Sequence, residues 1–334
     1  MDNLYFAFRK KAEPLAKAAS VITYPVFKGF DGAIKPKFPS EVRLFGVLVA
    51  DVHMRDEPYR NRRLYDGIYD LENAEYPIDV LTSAGDLTDH GELSEWATVV
   101  KKTAGHKPAK EIVLALGNHD TWTTTLDGDD NYDYAAELFL HFIGKLTGVP
   151  EDKVWFTRVV KGYSFICMGS ENDSCDGKIG AQQIAWLDEE LKKAAETGKP
   201  AFVINHQALQ QTHGLPFTSC AGNNQNLPPE EGGLLEGNDA LRAVLRKYKN
   251  VLLISGHSHM GLSGRLTKHS TFEKVDSFYS INLPCYMFWN HDGLPSCGYG
   301  YVMEVYDDRV LLRARNFIRR VWLPAYDFMF PIIR

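Results

Sequence analysis

The chain has 334 residues, 44% hydrophobic and 24% charged, the balance of a soluble globular protein with length for one large domain or two small ones. A formal charge of −6 supplies no general basic field, which argues against nucleic acid as the main partner. The five cysteines are odd in number and widely spread, and no run of 18 apolar residues occurs, so disulfide scaffolds and spanning helices are set aside and reduced thiols in a cytoplasmic protein are expected.

Residues 1–41 are read as an N-terminal extension packed on the domain, and the stretch 18–27 lacks the apolar core and cleavage pattern of a signal peptide. From residue 42 onward, short β-rich runs alternate with helix-period segments, an α/β layout. Strand 42–50 ends at Asp51, 80–84 at Gly85-Asp86, 112–116 at Gly117-Asn118-His119, 202–205 at His206 and 251–255 at Gly256-His257. Helices are predicted over 60–74, 92–104, 133–146, 181–196 and 239–248, where apolar residues recur at three- and four-residue spacing. Residues 207–238 are rich in Gly, Pro, Asn and Gln without periodicity and read as a long substrate loop. After His259, strands are predicted at 278–283, 300–305 and 309–314, and the catalytic domain is taken to end at 315. Alternating Arg313 and Arg315, with Arg319 and Arg320, read as a solvated face. The aromatic tail 316–334 is expected to pack on the domain or to join a homodimer with the N-terminal apolar segment.

Every strand that matters stops at a residue able to bind metal, and in open α/β sheets ligands gather beyond the carboxyl ends of strands. Carboxylate and amide oxygens with imidazoles suit Mn, Fe or Zn, whereas the lack of cysteine in these motifs disfavours a closed structural zinc site. Two such ions about 3.5–4 Å apart bridge a hydroxide and need a shared carboxylate, for which Asp86 is the candidate. Gly85, Gly117 and Gly256 precede ligands, where a sharp turn or positive φ is easiest without a Cβ.

Five motifs stand in order: Asp51-Val52-His53; Gly85-Asp86-Leu87-Thr88-Asp89-His90-Gly91; Gly117-Asn118-His119-Asp120; His206; and Gly256-His257-Ser258-His259. The series resembles the calcineurin-like metallophosphoesterase superfamily over residues 51–259, nearest in motif to the bacterial cyclic-nucleotide phosphodiesterase branch. The resemblance implies a two-sheet α/β sandwich flanked by helices. It implies that Asp51, His53, Asp86 and His259 hold one metal, and that Asp86, Asn118, His206 and His257 hold the other. It places His119 as the group that protonates or stabilises the leaving oxygen, with Asp89 orienting it. His90 stands where protein Ser/Thr phosphatases carry a phosphate-binding arginine, and is read as a substrate contact or a solvated turn residue. His213, in the long loop, is a further residue that could face substrate; the other histidines outside the motifs are assigned no role. The expected reaction is hydrolysis of a small phosphoester by a metal-bridging hydroxide, a diester first and a monoester second. The reading from another class is a non-catalytic metal-bound scaffold.

Overall fold

Period-two alternation decides which layer each strand feeds. The computed structural model describes residues 30–123, 132–172, 175–215, 233–263 and 269–334. The first half of the chain runs β1 (Phe30–Asp31), β2 (Leu44–Val49), α1 (Pro58–Glu72), β3 (Val80–Ser83), α2 (Leu93–Thr103), β4 (Glu111–Leu114), α3 (Tyr132–Thr147), β5 (Phe156–Val160) and β6 (Tyr163–Cys167). The second runs α4 (Ala181–Glu196), β7 (Ala201–Ile204), α5 (Asn238–Leu245), β8 (Val251–Ser255), β9 (Phe272–Val275), β10 (Phe278–Asn282), β11 (Tyr299–Val305), β12 (Arg309–Asn316), β13 (Val321–Trp322) and β14 (Phe328–Pro331).

These strands make two mixed sheets, the sandwich that the resemblance implies. One has the order β1-β13-β12-β11-β2-β3-β4, with β14 also on β12; the other has the order β5-β6-β7-β8-β10-β9. Each has a parallel set, β2-β3-β4 at one side of the first and β6-β7-β8-β10 in the middle of the second, so the carboxyl ends of all ligand-bearing strands fall at one end. Phe165, Phe202, Leu252 and Ile254 of the second sheet face the inter-sheet core with Leu44, Leu48, Val80 and Tyr301 of the first. Their neighbours in sequence, Ile166, Val203 and Leu253, turn the other way onto Leu187 and Leu191 of α4 and Leu241 of α5. On the outside of the first sheet, Trp96 of α2 meets Phe139 and Phe142 of α3 at ring centroids 6.0 and 5.8 Å apart.

Three segments depart from the sequence reading or add to it. The tail 316–334 supplies β13 and β14 to the first sheet: Phe317, Trp322 and Phe330 are buried, and Phe328 stacks on Phe272, so the aromatics pack on the domain. Arg313 and Arg315 are not part of a solvated face, although Arg320 is exposed. Arg315 is fully buried, with a two-pronged bond to Asp70 of α1, and Arg313 lies over Trp322 and pairs with Glu304. Finally, a hairpin, β5-β6, not anticipated in the sequence, forms the edge of the second sheet; its turn uses Lys161 and Gly162 at φ 52° and 80°. The N-terminal extension up to residue 29, including its apolar stretch, lies outside the described residues. No helix among the described residues is long and apolar enough to cross a membrane.

Candidate metal centre

The seven expected ligands converge at the carboxyl ends of the parallel strands, and the backbone is contorted to bring them there. Asp51, His53, Asp86, His257 and His259 all adopt positive φ, between 42° and 71°. For residues with a Cβ this costs on the order of 1–3 kcal/mol each and persists only where the surroundings enforce it. The glycines therefore serve differently from expectation. Gly85 is left-handed, at φ 102°, but Gly117 and Gly256 are not, and what they supply is space. A Cβ at Gly256 would stand 2.6 Å from Asp51 Oδ2, and one at Gly117 would fall on the Asp86 carboxylate.

Donor atoms of Asp51, His53, Asp86 and His259 all lie within 4.8 Å of one another. His53 Nε2 is 2.9 Å from His259 Nε2 and 3.6 Å from Asp86 Oδ2, and His259 Nε2 is 3.3 Å from Asp51 Oδ1. In the second group, His206 Nε2 is 3.0 Å from Asn118 Oδ1 and 3.2 Å from Asp86 Oδ2, and His257 Nδ1 is 2.9 Å from the same Asn118 oxygen. Asp86 is the carboxylate common to both groups.

The proton positions show what these groups want. His206 Nδ1 lies 2.7 Å from the carbonyl oxygen of Ala84, which can only accept, so Nδ1 carries the proton and Nε2 presents a lone pair to two further acceptors. A cation in their midst turns that repulsion into coordination. Burial works against a charge on His206, yet Asp86 and Asp51 push it up to about 10, so where no cation holds Nε2 a proton takes its place between the same acceptors. Burial pushes the Asp51 carboxyl up, while His206 and His119 overcome burial and draw Asp86 down. The donor set thus fits metal ions.

His119 follows Asn118 on a short 3-10 turn, His119–Thr121. Its amide donates to Asp86 Oδ1 at 2.9 Å and its Nδ1 to the main-chain carbonyl of Asp89 at 2.7 Å. Burial holds it down to about 4, against the pull of Asp86. Asp89 is thus brought to His119, but by its backbone. Its carboxylate is committed elsewhere: Oδ2 accepts from Arg60 Nη2 at 3.1 Å and Oδ1 faces His53 Nδ1 at 3.4 Å. The expectation that the Asp89 side chain orients His119 is corrected accordingly. His53 and Arg60 hold that carboxylate far below the ordinary range, although burial alone would raise it.

His90 sits at the rim with 28% of its side chain exposed, its Nδ1 3.4 Å from Glu95 Oε1 and 3.5 Å from Asp89 Oδ2. His213 is not at the centre: it is buried, with Nδ1 against the Ser270 carbonyl at 2.6 Å and Nε2 against Ser280 Oγ at 2.8 Å. Residues 216–232 of the long loop lie outside the described residues, while its stems are pinned, Leu234 N donating to the Ala208 carbonyl at 2.8 Å.

Other residues of the site were not singled out in the sequence. The Asp120 carboxylate accepts from Thr88 N and Oγ1, Leu87 N and Gly117 N, tying the second motif to the third. Its place at the end of Gly117-Asn118-His119-Asp120 was the available signal. Arg60 of α1 also donates to the His53 carbonyl, and Phe288 stands 5.0 Å from the His53 ring, neither marked by any local pattern. Two thiols come close as well: Cys285 with His53 and His259, and Cys175 with His257. The reading that cysteine is absent from the centre holds for the motifs but not for the space around them.

No curated protein matches the chain. Among solved structures, it is similar to a dimetal phosphatase from Danio rerio, at 15% identity and TM-score 0.55 over 88% of this chain and 100% of that one. It is also similar to GAP50, the anchor in the inner membrane complex of Plasmodium, at 12% identity and TM-score 0.54 over 87% and 89% of the two chains. At such identities the likeness speaks for the fold alone. The family model for calcineurin-like phosphoesterases matches residues 47–261, well over half of the sequence, and the chain belongs to that family of metal-dependent phosphoester hydrolases.

Proposed function

We propose that the protein hydrolyses phosphodiesters with two transition-metal ions, one held by Asp51, His53, Asp86 and His259, the other by Asp86, Asn118, His206 and His257. The observation that carries this reading is the convergence of imidazole lone pairs and carboxylate oxygens, with His206 Nε2 3.0 Å from Asn118 Oδ1 and 3.2 Å from Asp86 Oδ2. Bound there, such ions generate a nucleophile at neutral pH and clamp phosphoryl oxygens.

The protein's own residues define the rest. His119 donates Nδ1 to a carbonyl, which leaves Nε2 as its reactive nitrogen. Burial keeps the ring neutral at rest, and the negative charge of an arriving phosphate opposes that burial, so His119 takes up its proton with substrate and passes it to the leaving oxygen. The preference for a diester rests on charge. Arg55 and Arg60, the arginines beside the second motif, are engaged by Asp89, Glu95 and Glu57 rather than held ready for a dianion. A diester brings one negative charge and suits such a site better. The 207–238 loop leaves directly from His206, which supports it as the selector among diesters.

Metal-reconstituted protein is expected to carry two ions per chain and to turn over an aryl diester faster than the matching aryl monoester. His119→Ala is expected to lower kcat by about 10²–10⁴ on a poor alkyl leaving group and by less on an activated aryl one, with both ions retained. Faster monoester turnover overturns the diester preference, equal losses on both leaving groups overturn the proton-donor role, and two ions with no turnover of any ester point to a scaffold.

A further inference from the structure

We propose that Cys175 is the outer-sphere partner of the metal ligand His257 and sets how tightly the second cluster holds its ion, an inference that rests on the two-metal reading above. Cys175 lies between β6 and α4, in a segment with no part in the five motifs. Its position is built. Gln207, the residue after ligand His206, donates Nε2 to the Cys175 carbonyl at 3.0 Å. Beyond it, Lys178 N donates to Ser170 Oγ at 3.0 Å and Glu171 N to the Lys178 carbonyl at 2.8 Å, closing the segment on itself.

From there the sulfur reaches two of the four residues of the second cluster. Cys175 Sγ is 3.9 Å from His257 Nε2 and 4.0 Å from Asn118 Nδ2. Those are the outward nitrogens of both ligands: His257 Nδ1 faces Asn118 Oδ1 at 2.9 Å, and that oxygen also faces His206 Nε2 at 3.0 Å. A ligand imidazole that binds through one nitrogen presents the other as an N–H, and the acceptor of that N–H fixes the tautomer and the ring's orientation. For His206 the acceptor is the Ala84 carbonyl, and for His53 the group in that position is the Asp89 carboxylate. For His257 the group in that position is the Cys175 sulfur, with a carboxylate oxygen of Asp176 in the same cluster, within 4.8 Å of it. The same sulfur takes the Asn118 amide N–H, and so holds the amide oxygen toward the cluster. Sulfur is a weak acceptor at these distances, so the second cluster has a softer outer sphere than the first.

The test is metal titration of the metal-free full chain with Co²⁺, following occupancy of each site by spectrum and by calorimetry. In Cys175→Ala the second ion is expected to bind about 10–100-fold more weakly while the first is unchanged, the range usual for loss of an outer-sphere partner. Cys175→Ser keeps an acceptor and is expected to hold the second ion more tightly than Cys175→Ala, which separates the role from mere packing. If parent and both variants bind two ions equally tightly, the assignment to Cys175 fails and the two-metal reading stands. If the parent never binds more than one ion, the two-metal reading fails and this inference with it. A sulfur-to-cobalt charge-transfer band in the parent that vanishes in Cys175→Ser makes Cys175 a direct ligand and overturns the outer-sphere role.

Discussion

Helix α1 carries two buried arginine–aspartate pairs with the same chemistry and different tasks. Near its start, Arg60 meets Asp89 through one nitrogen at 3.1 Å, and the other Asp89 oxygen faces ligand His53 at 3.4 Å. Near its end, Asp70 receives both prongs of Arg315, at 2.7 Å each, with Arg320 adding a longer bond at 3.3 Å. In the distal pair both carboxylate oxygens are spent on guanidinium, and nothing is left to act on a neighbour. At the centre one oxygen is kept free for an imidazole. A buried carboxylate with one oxygen not spent on guanidinium is therefore the one to examine for function, and a carboxylate whose two oxygens are both spent there the one to examine for stability.

The largest effect expected from this contrast is on stability. Asp70→Asn leaves the Arg315 guanidinium buried opposite a neutral amide, and should cost about 3–5 kcal/mol in urea unfolding. Metal stoichiometry of the folded protein should not change. Replacing both members with apolar residues should recover most of the loss, because burying neither charge avoids both desolvation penalties. A loss under 1 kcal/mol for Asp70→Asn would mean that the asparagine amide oxygen satisfies Arg315 nearly as well as the carboxylate does, and the contrast would dissolve.

The proximal pair should respond in metal binding. Arg60→Met frees the Asp89 carboxylate to swing from His53, so the first ion should bind about 10–100-fold more weakly, with the second ion much less affected. Equal weakening of both ions would show that Arg60 supports the whole centre, through its bond to the His53 carbonyl, rather than one half of it.

What the sequence disclosed follows the same division. The ligands were legible because coordination dictates residue type, and strand tips place those types at intervals that local patterns reveal: Asp51, Asp86 and His257 stand at the ends of apolar runs. The outer sphere was not legible, because its partners come from distant segments. Arg60 is 29 residues from Asp89, and Cys175 is 82 from His257. Arg315 was misread for the same reason: alternation along a strand puts it on one face, but only the fold puts Asp70, 245 residues away, against that face. The hairpin β5-β6 has a clear Lys161-Gly162 turn, yet its first strand buries only its two ends, so period-two alternation is faint there.

The smallest effect lies at the opposite end of the sandwich from the metals, where a third buried carboxylate has a different kind of partner. Asp79 precedes β3 and is buried, but it pairs with lysines that are half exposed: Lys110 ahead of β4 and Lys161 in the β5-β6 turn, each at 2.9 Å, while Phe45 N donates to it at 3.1 Å. Lys161 belongs to the second sheet, so the group clasps the two sheets together. Burial would raise the Asp79 carboxyl, but the bonds from Lys161, Lys110 and the Phe45 amide outweigh it, and the folded pKa lies below the ordinary value. A depressed folded pKa gives stability that is complete above the unfolded value, about 3.9, and is lost as pH falls through the folded one. Because the lysines are solvated, each should contribute only about 0.2–1 kcal/mol. Lys161→Ala should therefore unfold more easily than the parent at pH 7 by that amount, and the gap should close in the acid range where Asp79 takes up its proton. Taking the difference between variant and parent at each pH cancels the acid release of metal ions, which is common to both. High salt should narrow the gap at pH 7, since exposed ammonium groups are screened. A gap that stays constant from pH 7 into acid would assign the effect to the place of Lys161 in the β5-β6 turn, and would remove Asp79 from the clasp.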